Sequence, residues 1–192
     1  MALFRHTLPN PRCIIVTGRQ GSGKTTLARK LGEMLRMPVI IRDEVKEGFV
    51  NTFGVRHDEL PSDANLKVTD LFVHLVEEYL RGFVSVVIEA AFQHQVWESR
   101  LDAIREAADV RVVLCTVSDE AAFRRPIDRG LADPEREFYH GDNRVVHFRK
   151  TGEILTPADY EPIQIDVPTI SVNTEDGYAP PLGHIVEFIR AP

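Results

Sequence analysis

At 192 residues, with 43% hydrophobic and 27% charged residues, the chain has the composition of one ordinary globular domain and excludes a disordered or fibrous class. Its formal net charge is -6 with both signs interspersed and no basic run, a poor match for sequence-independent binding along a phosphate polymer. No apolar run approaches the roughly 20 residues of a membrane-spanning helix, and Met1 to Pro11 carries no signal-peptide pattern, so the expected compartment is the cytoplasm.

Short apolar runs alternate with longer stretches of helical period, the pattern of an α/β protein with a mostly parallel sheet. The first run, Cys13 to Thr17, reads as a buried strand, followed by a Gly-rich turn and a helix from Lys24 to about Arg36. Leu27, Leu31, Met34 and Leu35 give that helix an apolar face, and Pro38 ends it. A second strand, Val39 to Ile41, leads into Arg42 and Asp43. Glu44 to Asn65 is polar and less regular, and Pro61-Ser62-Asp63 marks a break before a helix from about Leu66 to Arg81. Leu71, Phe72, Leu75, Val76 and Tyr79 are its expected buried residues. Gly82 closes it, and a third strand, Val84 to Ile88, ends at Glu89.

The helix Gln95 to Ala108 places Val96, Trp97, Leu101 and Ile104 on one face, and Val110 to Val117 is the fourth strand. A helix from Asp119 passes into an Arg-rich stretch, Arg124-Arg125 and Arg129, before the polar segment Gly130 to Asp142. From Gly141 to Pro168 the pattern is weak and is broken by Pro157, Pro162 and Pro168. A fifth strand, Thr169 to Asn173, a turn at Glu175-Asp176-Gly177 and a helix from about Pro181 to Arg190 complete a single domain over 1–192. Cys13 and Cys115 each lie inside an apolar run and read as buried strand residues rather than a disulfide.

Gly18-Arg19-Gln20-Gly21-Ser22-Gly23-Lys24-Thr25 matches G-x-x-x-x-G-K-[ST] between a predicted strand and a predicted helix. Glycines let the backbone curl so that successive N–H groups point at phosphate oxygens, and the helix that follows presents its positive end to the same anion. In this reading Lys24 bridges the β- and γ-phosphates, the Thr25 hydroxyl coordinates magnesium, and Thr26 extends the phosphate cradle. At ordinary glycine frequencies a chance match in a chain of this length is on the order of 1% or less. No guanine-reading N-K-x-D sequence is present, so ATP is favoured over GTP.

These residues, with Ile41-Arg42-Asp43-Glu44, Val87-Ile88-Glu89-Ala90-Ala91-Phe92, Arg125-x-x-x-Arg129 and Val172-Asn173-Thr174 after successive strands, resemble the P-loop kinases grouped with polynucleotide 5'-hydroxyl kinases, zeta toxins and chloramphenicol phosphotransferase. The resemblance covers most of the chain. It implies a three-layer α/β/α fold with a five-stranded parallel sheet and an arginine-bearing lid at about residues 124–145. It further implies transfer of the γ-phosphate of ATP, with magnesium, to a hydroxyl. A small-molecule acceptor suits the net acidity better than a nucleic acid, although a local basic groove would be invisible in a net charge. A polynucleotide 5'-hydroxyl kinase and a regulatory ATPase with no acceptor are the alternative readings.

In similar kinases the aspartate after the second strand orients or deprotonates the acceptor hydroxyl, a role that falls here on Asp43. Its other reading is a helix N-cap for Glu44 to Phe53. The resemblance gives Glu89 a magnesium-bound water or a substrate group, beside a purely structural alternative. Arg125 and Arg129, four residues apart and so on one helix face, can close over the triphosphate. Surface pairing with Asp119, Glu120 or Asp128 is the other possibility, and Arg124 can share either role. Asn173 and Thr174 resemble the adenine-side loop and also read as a plain turn. His57, His94 and His140 show no zinc-ligand spacing and read as solvent or pocket residues. Phe49, Phe53, Phe92 and Trp97 flank the acceptor side and read mainly as core.

Overall fold

The computed structural model describes residues 10–141, 143–156 and 159–192; the expectations placed on Met1 to Pro9, Asp142 and Pro157 lie outside the described residues. Strands β1 (Arg12–Thr17), β2 (Val39–Ile41), β3 (Val86–Glu89), β4 (Asp109–Thr116) and β5 (Thr169–Asn173) form one parallel sheet in the order β2-β3-β1-β4-β5. β1 lies at the centre, with the chain winding outward from it in both directions. That reversal opens a crevice at the carboxyl ends of the strands, where β1 hands the chain to the Gly-rich turn.

β1 and β3 are covered on both faces, which is why they read as unbroken apolar runs rather than alternating ones. Side chains still alternate between layers. Cys13 and Ile15 point to one face with Val86, Ile88, Val110 and Val112, where Phe72, Val76 and Leu80 of α3 (Ala64–Arg81) and Trp97, Leu101 and Ile104 of α4 (His94–Ala107) pack. Ile14 and Val16 point to the other face, against Leu27, Ala28 and Leu31 of α1 (Lys24–Leu35) and Ile185, Val186 and Ile189 of α8 (Leu182–Arg190). This is the expected three-layer α/β/α arrangement with a five-stranded parallel sheet.

Several local expectations need correction. The first part of the stretch read as irregular after the second strand is helical, as α2 (Arg42–Phe53). Its low apolar content hides it, because α2 buries only Val50 completely and packs a polar flank toward the crevice. The buried stripe of α3 runs through Val68, Thr69, Phe72, Val76 and Leu80, leaving Leu71 and Tyr79 exposed and Leu75 half-buried. Met34 and Val96 are likewise exposed, because each lies beside rather than on the stripe its helix buries. β3 starts at Val86, two residues later than expected, since Phe83 adopts a left-handed φ of 59° and turns the chain. The segment read as polar after α5 (Asp119–Ala132) holds a further helix, α6 (Arg136–His140), and the stretch read as weakly patterned opens with another, α7 (Asn143–Thr151).

Phe72, Phe92 and Trp97 form one ring cluster, with centroids 5.6 Å apart for Phe72–Trp97 and 4.6 Å for Phe92–Trp97. Phe92 and Trp97 are therefore core, as their apolar runs suggest, whereas Phe49 and Phe53 stack on each other along α2 with Phe53 largely exposed. Phe72→Ala should cost about 3–5 kcal/mol in urea unfolding, with the m value unchanged. Burial pushes the thiols of Cys13 and Cys115 up to about 12. Neither should react with an alkylating reagent in the native protein, and both should react after unfolding.

Candidate active site

The Gly-rich turn follows β1 directly and ends at Gly23, whose left-handed φ of 74° starts α1 with no side-chain cap. The first N–H groups of the helix are thus left for a ligand. Gln20, Gly21, Gly23, Lys24, Thr25 and Thr26 line a cleft of about 1030 Å³. Gly18, Arg19 and Ser22 support the turn from behind. Arg19 pairs with Asp119 and lies over the Phe123 ring, and a Cβ on Gly18 would approach the Cys115 carbonyl to 2.5 Å.

Gly21 has a φ of 82°, and any Cβ there would strike the Ala122 carbonyl of α5. Four residues on, Pro126 has no N–H to offer that carbonyl, so α5 loses a rung of its ladder at the point where the turn packs. The turn and α5 therefore meet backbone to backbone.

Glu89 sits at the last position of β3, in register with Val16 of β1 and Ile41 of β2. Its side chain is only 4% exposed; Thr25 Oγ1 donates to it at 2.9 Å and Lys24 Nζ lies 3.9 Å away. Desolvation raises the Glu89 pKa, opposed by Lys24 and the Thr25 hydrogen bond, with Asp43 and Glu44 adding to the rise. A buried carboxylate beside a hydroxyl is a hard-oxygen donor pair, and it fits magnesium, which takes one or two protein oxygens and completes its shell with water and phosphate.

Across the crevice, β2 ends at Ile41, and it is Ile41, in extended conformation, that caps α2. Asp43 lies inside the first turn of α2, so the N-cap alternative is corrected, and its carboxylate faces the cleft. Arg42 is held by its own hydrogen bonds, at 3.2 and 3.1 Å to Thr69 Oγ1 and 3.3 Å to the Asn65 carbonyl, with Asp43 3.9 Å away. Burial lowers its pKa and Asp43 partly restores it.

Arg125 and Arg129 both line the cleft from α5. Arg125 is tied to backbone, donating to Gly21 O at 3.3 Å, Thr174 O at 3.0 Å and Glu175 O at 2.9 Å. Arg124 points away and pairs with Asp128 at 2.8 Å. The residues after β5 divide. Thr174 is buried and donates to the Ser22 carbonyl at 2.7 Å, joining β5 to the Gly-rich turn, while Asn173 accepts from Glu175 N–H at 2.9 Å and shapes a turn.

Three contacts were invisible in the sequence. Tyr160 comes from the stretch with the weakest pattern, and its hydroxyl meets Thr17 Oγ1 at 3.1 Å, beside the start of the turn. His140 Nε2 lies 2.6 Å from Glu47 Oε1, and the Tyr139 hydroxyl donates to Asn51 at 3.0 Å, so α6 closes onto α2 over the cleft. Only the proximity of α2 and α6 in space brings those pairs together.

A family model described as an AAA domain matches residues 13–144, which take in nearly all of β1, the Gly-rich turn, Glu89, Arg125 and Arg129. The chain belongs to this family. As a P-loop nucleoside triphosphatase fold it is similar to a protein of Chloroflexus aurantiacus described as a candidate kinase, with TM-score 0.75 and 21% identity over 94% of this chain and 97% of that one. The APS kinase of Mycobacterium tuberculosis, solved with AMPPNP and APS, aligns with TM-score 0.61 and 16% identity over 95% and 99% of the two chains. A chain of the Pnkp1/Rnl/Hen1 RNA repair complex aligns with TM-score 0.55 and 20% identity over 83% of this chain and 50% of that one. No curated protein sequence matches. The fold is that of the P-loop kinases.

The raised Glu89 pKa has a consequence for stability. A carboxyl that holds its proton more tightly when folded loses native stability as pH rises from the ordinary glutamate range through the raised value. In metal-free protein, Glu89→Gln should therefore melt a few degrees above wild type at neutral pH, and the gap should close on acidification below the ordinary glutamate range. Melting scans across that range check this; a gap that does not change with pH would refute the buried charge as its cause.

Proposed function

We propose that the protein is an ATP-dependent phosphotransferase that moves the γ-phosphate onto a hydroxyl of a small polar molecule. The observation that carries this reading is the placement of Lys24, Thr25 and Glu89 on one side of a single cleft and Asp43 on the other, at the ends of adjacent strands. A hydrolase that only switches conformation has no use for a second carboxylate facing an open acceptor space. The cleft, at about 1030 Å³, exceeds the upper range of small-ligand sites and has room for a nucleotide and an acceptor together.

In this reading Gly21 to Thr26 hold the phosphates, with Lys24 pairing to β- and γ-oxygens. Magnesium, when bound at Thr25 and Glu89, supplies neutralisation of the triphosphate charge. Asp43 orients the acceptor hydroxyl and takes its proton as the oxygen bonds to the γ-phosphorus. The bond from that phosphorus to the bridging oxygen of the β-phosphate breaks, and ADP leaves with the electron pair. Arg125 already borders the phosphate loop, and Arg129 lies one turn further along α5, so charge spread over the transferring group meets guanidinium on the lid side.

Incubation with γ-labelled ATP, magnesium, and a pool of metabolites and short oligonucleotides tests the reading. Wild type should label an organic product. Asp43→Asn should lower kcat by roughly a hundredfold or more while leaving ATP affinity within about twofold, and Lys24→Ala should lose transfer altogether. Label released only as inorganic phosphate, at a rate Asp43→Asn does not change, would instead favour a nucleotide-dependent switch. Label on the oligonucleotides alone would make the acceptor a polynucleotide 5'-hydroxyl.

A further inference from the structure

We infer that the acceptor carries an anionic group in addition to its hydroxyl, a phosphate, sulfate or carboxylate, bound by Lys46 of α2 and Arg136 of α6; this rests on the phosphotransfer reading above. The chain as a whole is acidic, yet eight Lys and Arg side chains line the cleft against five Asp and Glu. Those five acids are all engaged. Glu89 holds Thr25 and Lys24, Glu44 pairs with Arg29, and Asp43 has Arg42 at 3.9 Å. Glu47 takes His140 at 2.6 Å, and Glu137 takes Arg149 at 2.9 Å and Arg56 at 3.8 Å.

The cations are not all matched. Lys24, Arg125 and Arg129 face the nucleotide, and Arg42 is spent on Thr69 and the Asn65 carbonyl. Lys46 and Arg136 line the same cleft, half-buried, and no side-chain hydrogen bond or ion pair engages either among the described residues. Lys46 follows Asp43 by three residues, which places it on the same face of α2 as the residue that meets the hydroxyl. Burial and the neighbouring Arg42 lower the Lys46 pKa and Asp43 partly restores it, so its ammonium is held at a cost, offset only by a carboxylate that also has Arg42 beside it. The Glu47–His140 contact joins α6 to α2, and Arg136 lies one turn before His140. Two cations with no direct side-chain partner among the described residues thus line the cleft that Asp43 lines, from two different helices. A neutral polyol would leave both half-buried side chains without a direct ionic partner, whereas an anion would supply one to each.

The test needs no turnover. With the phosphate loop filled by AMPPNP and magnesium, inorganic sulfate and, separately, acetate are titrated calorimetrically into wild type, Lys46→Gln, Arg136→Gln, Lys46→Arg and Arg124→Gln. Wild type should bind at least one anion saturably. Lys46→Gln and Arg136→Gln should each weaken that binding by about tenfold or more, the loss of one charge-assisted contact. Lys46→Arg should retain it, and Arg124→Gln, whose side chain pairs with Asp128 outside the cleft, should match wild type. Preference for sulfate would assign a phospho or sulfo acceptor, and preference for acetate a carboxylate. Absence of saturable binding in wild type, or binding by Lys46→Gln and Arg136→Gln equal to that of wild type, overturns the inference. Saturable binding with no labelled product in the transfer assay supports this site and fails the transfer reading; labelled neutral polyols with no anion binding do the reverse.

Discussion

The site is organised around one buried carboxylate. Glu89 reaches the last position of β3 flanked by Val16 and Ile41, so the parallel register of three strands fixes where its charge sits. Such a charge is tolerable only with partners, and the partners come from the first turn of α1, where Lys24 and Thr25 converge on it. The phosphate loop is therefore anchored at its helical end by electrostatics and at its strand end by the hydrogen-bonded sheet. Neutralising Glu89 would remove the reason for Lys24 to point inward, and with it the charge that waits for phosphate.

The nucleotide side is braced further by contacts that involve backbone atoms. Thr174 donates to the Ser22 carbonyl, Arg125 donates to carbonyls of the loop and of the turn after β5, and Gly21 packs on a carbonyl that Pro126 has freed from α5. These contacts tolerate little displacement, so the phosphate cradle is built before any ligand arrives. The acceptor side is different. α6 meets α2 through single polar pairs, Tyr139 with Asn51 and His140 with Glu47, which are worth little individually and exchange readily with water. A rigid half around the Gly-rich turn thus faces a more loosely latched half formed by α2 and α6.

Much of this fold was legible because its signals are local. Buried parallel strands announce themselves as apolar runs, the G-x-x-x-x-G-K-T spacing marks its own strand-to-helix context, and the carboxylates at strand ends fall where the crevice must be. What was not legible lacks a local period. α2 presents one fully buried residue and a polar flank to the cleft, so it has almost no apolar stripe to read. α3 buries Thr69 in place of Leu71, because Thr69 accepts from Arg42 and the stripe is set by that polar contact as well as by hydrophobicity. Tyr160 reaches Thr17 across more than half the chain from a stretch without periodicity, and no spacing rule joins them.

Net charge is the clearest case of a global number concealing a local one. The acidic total argues against a polyanion spread along the surface, and it is uninformative about a concave site whose own cations outnumber its acids. Low-dielectric walls strengthen the field inside such a cleft, while the acidic exterior repels anions elsewhere. Together these favour a compact anionic ligand that enters the cleft over an extended one that must also cover the outer surface.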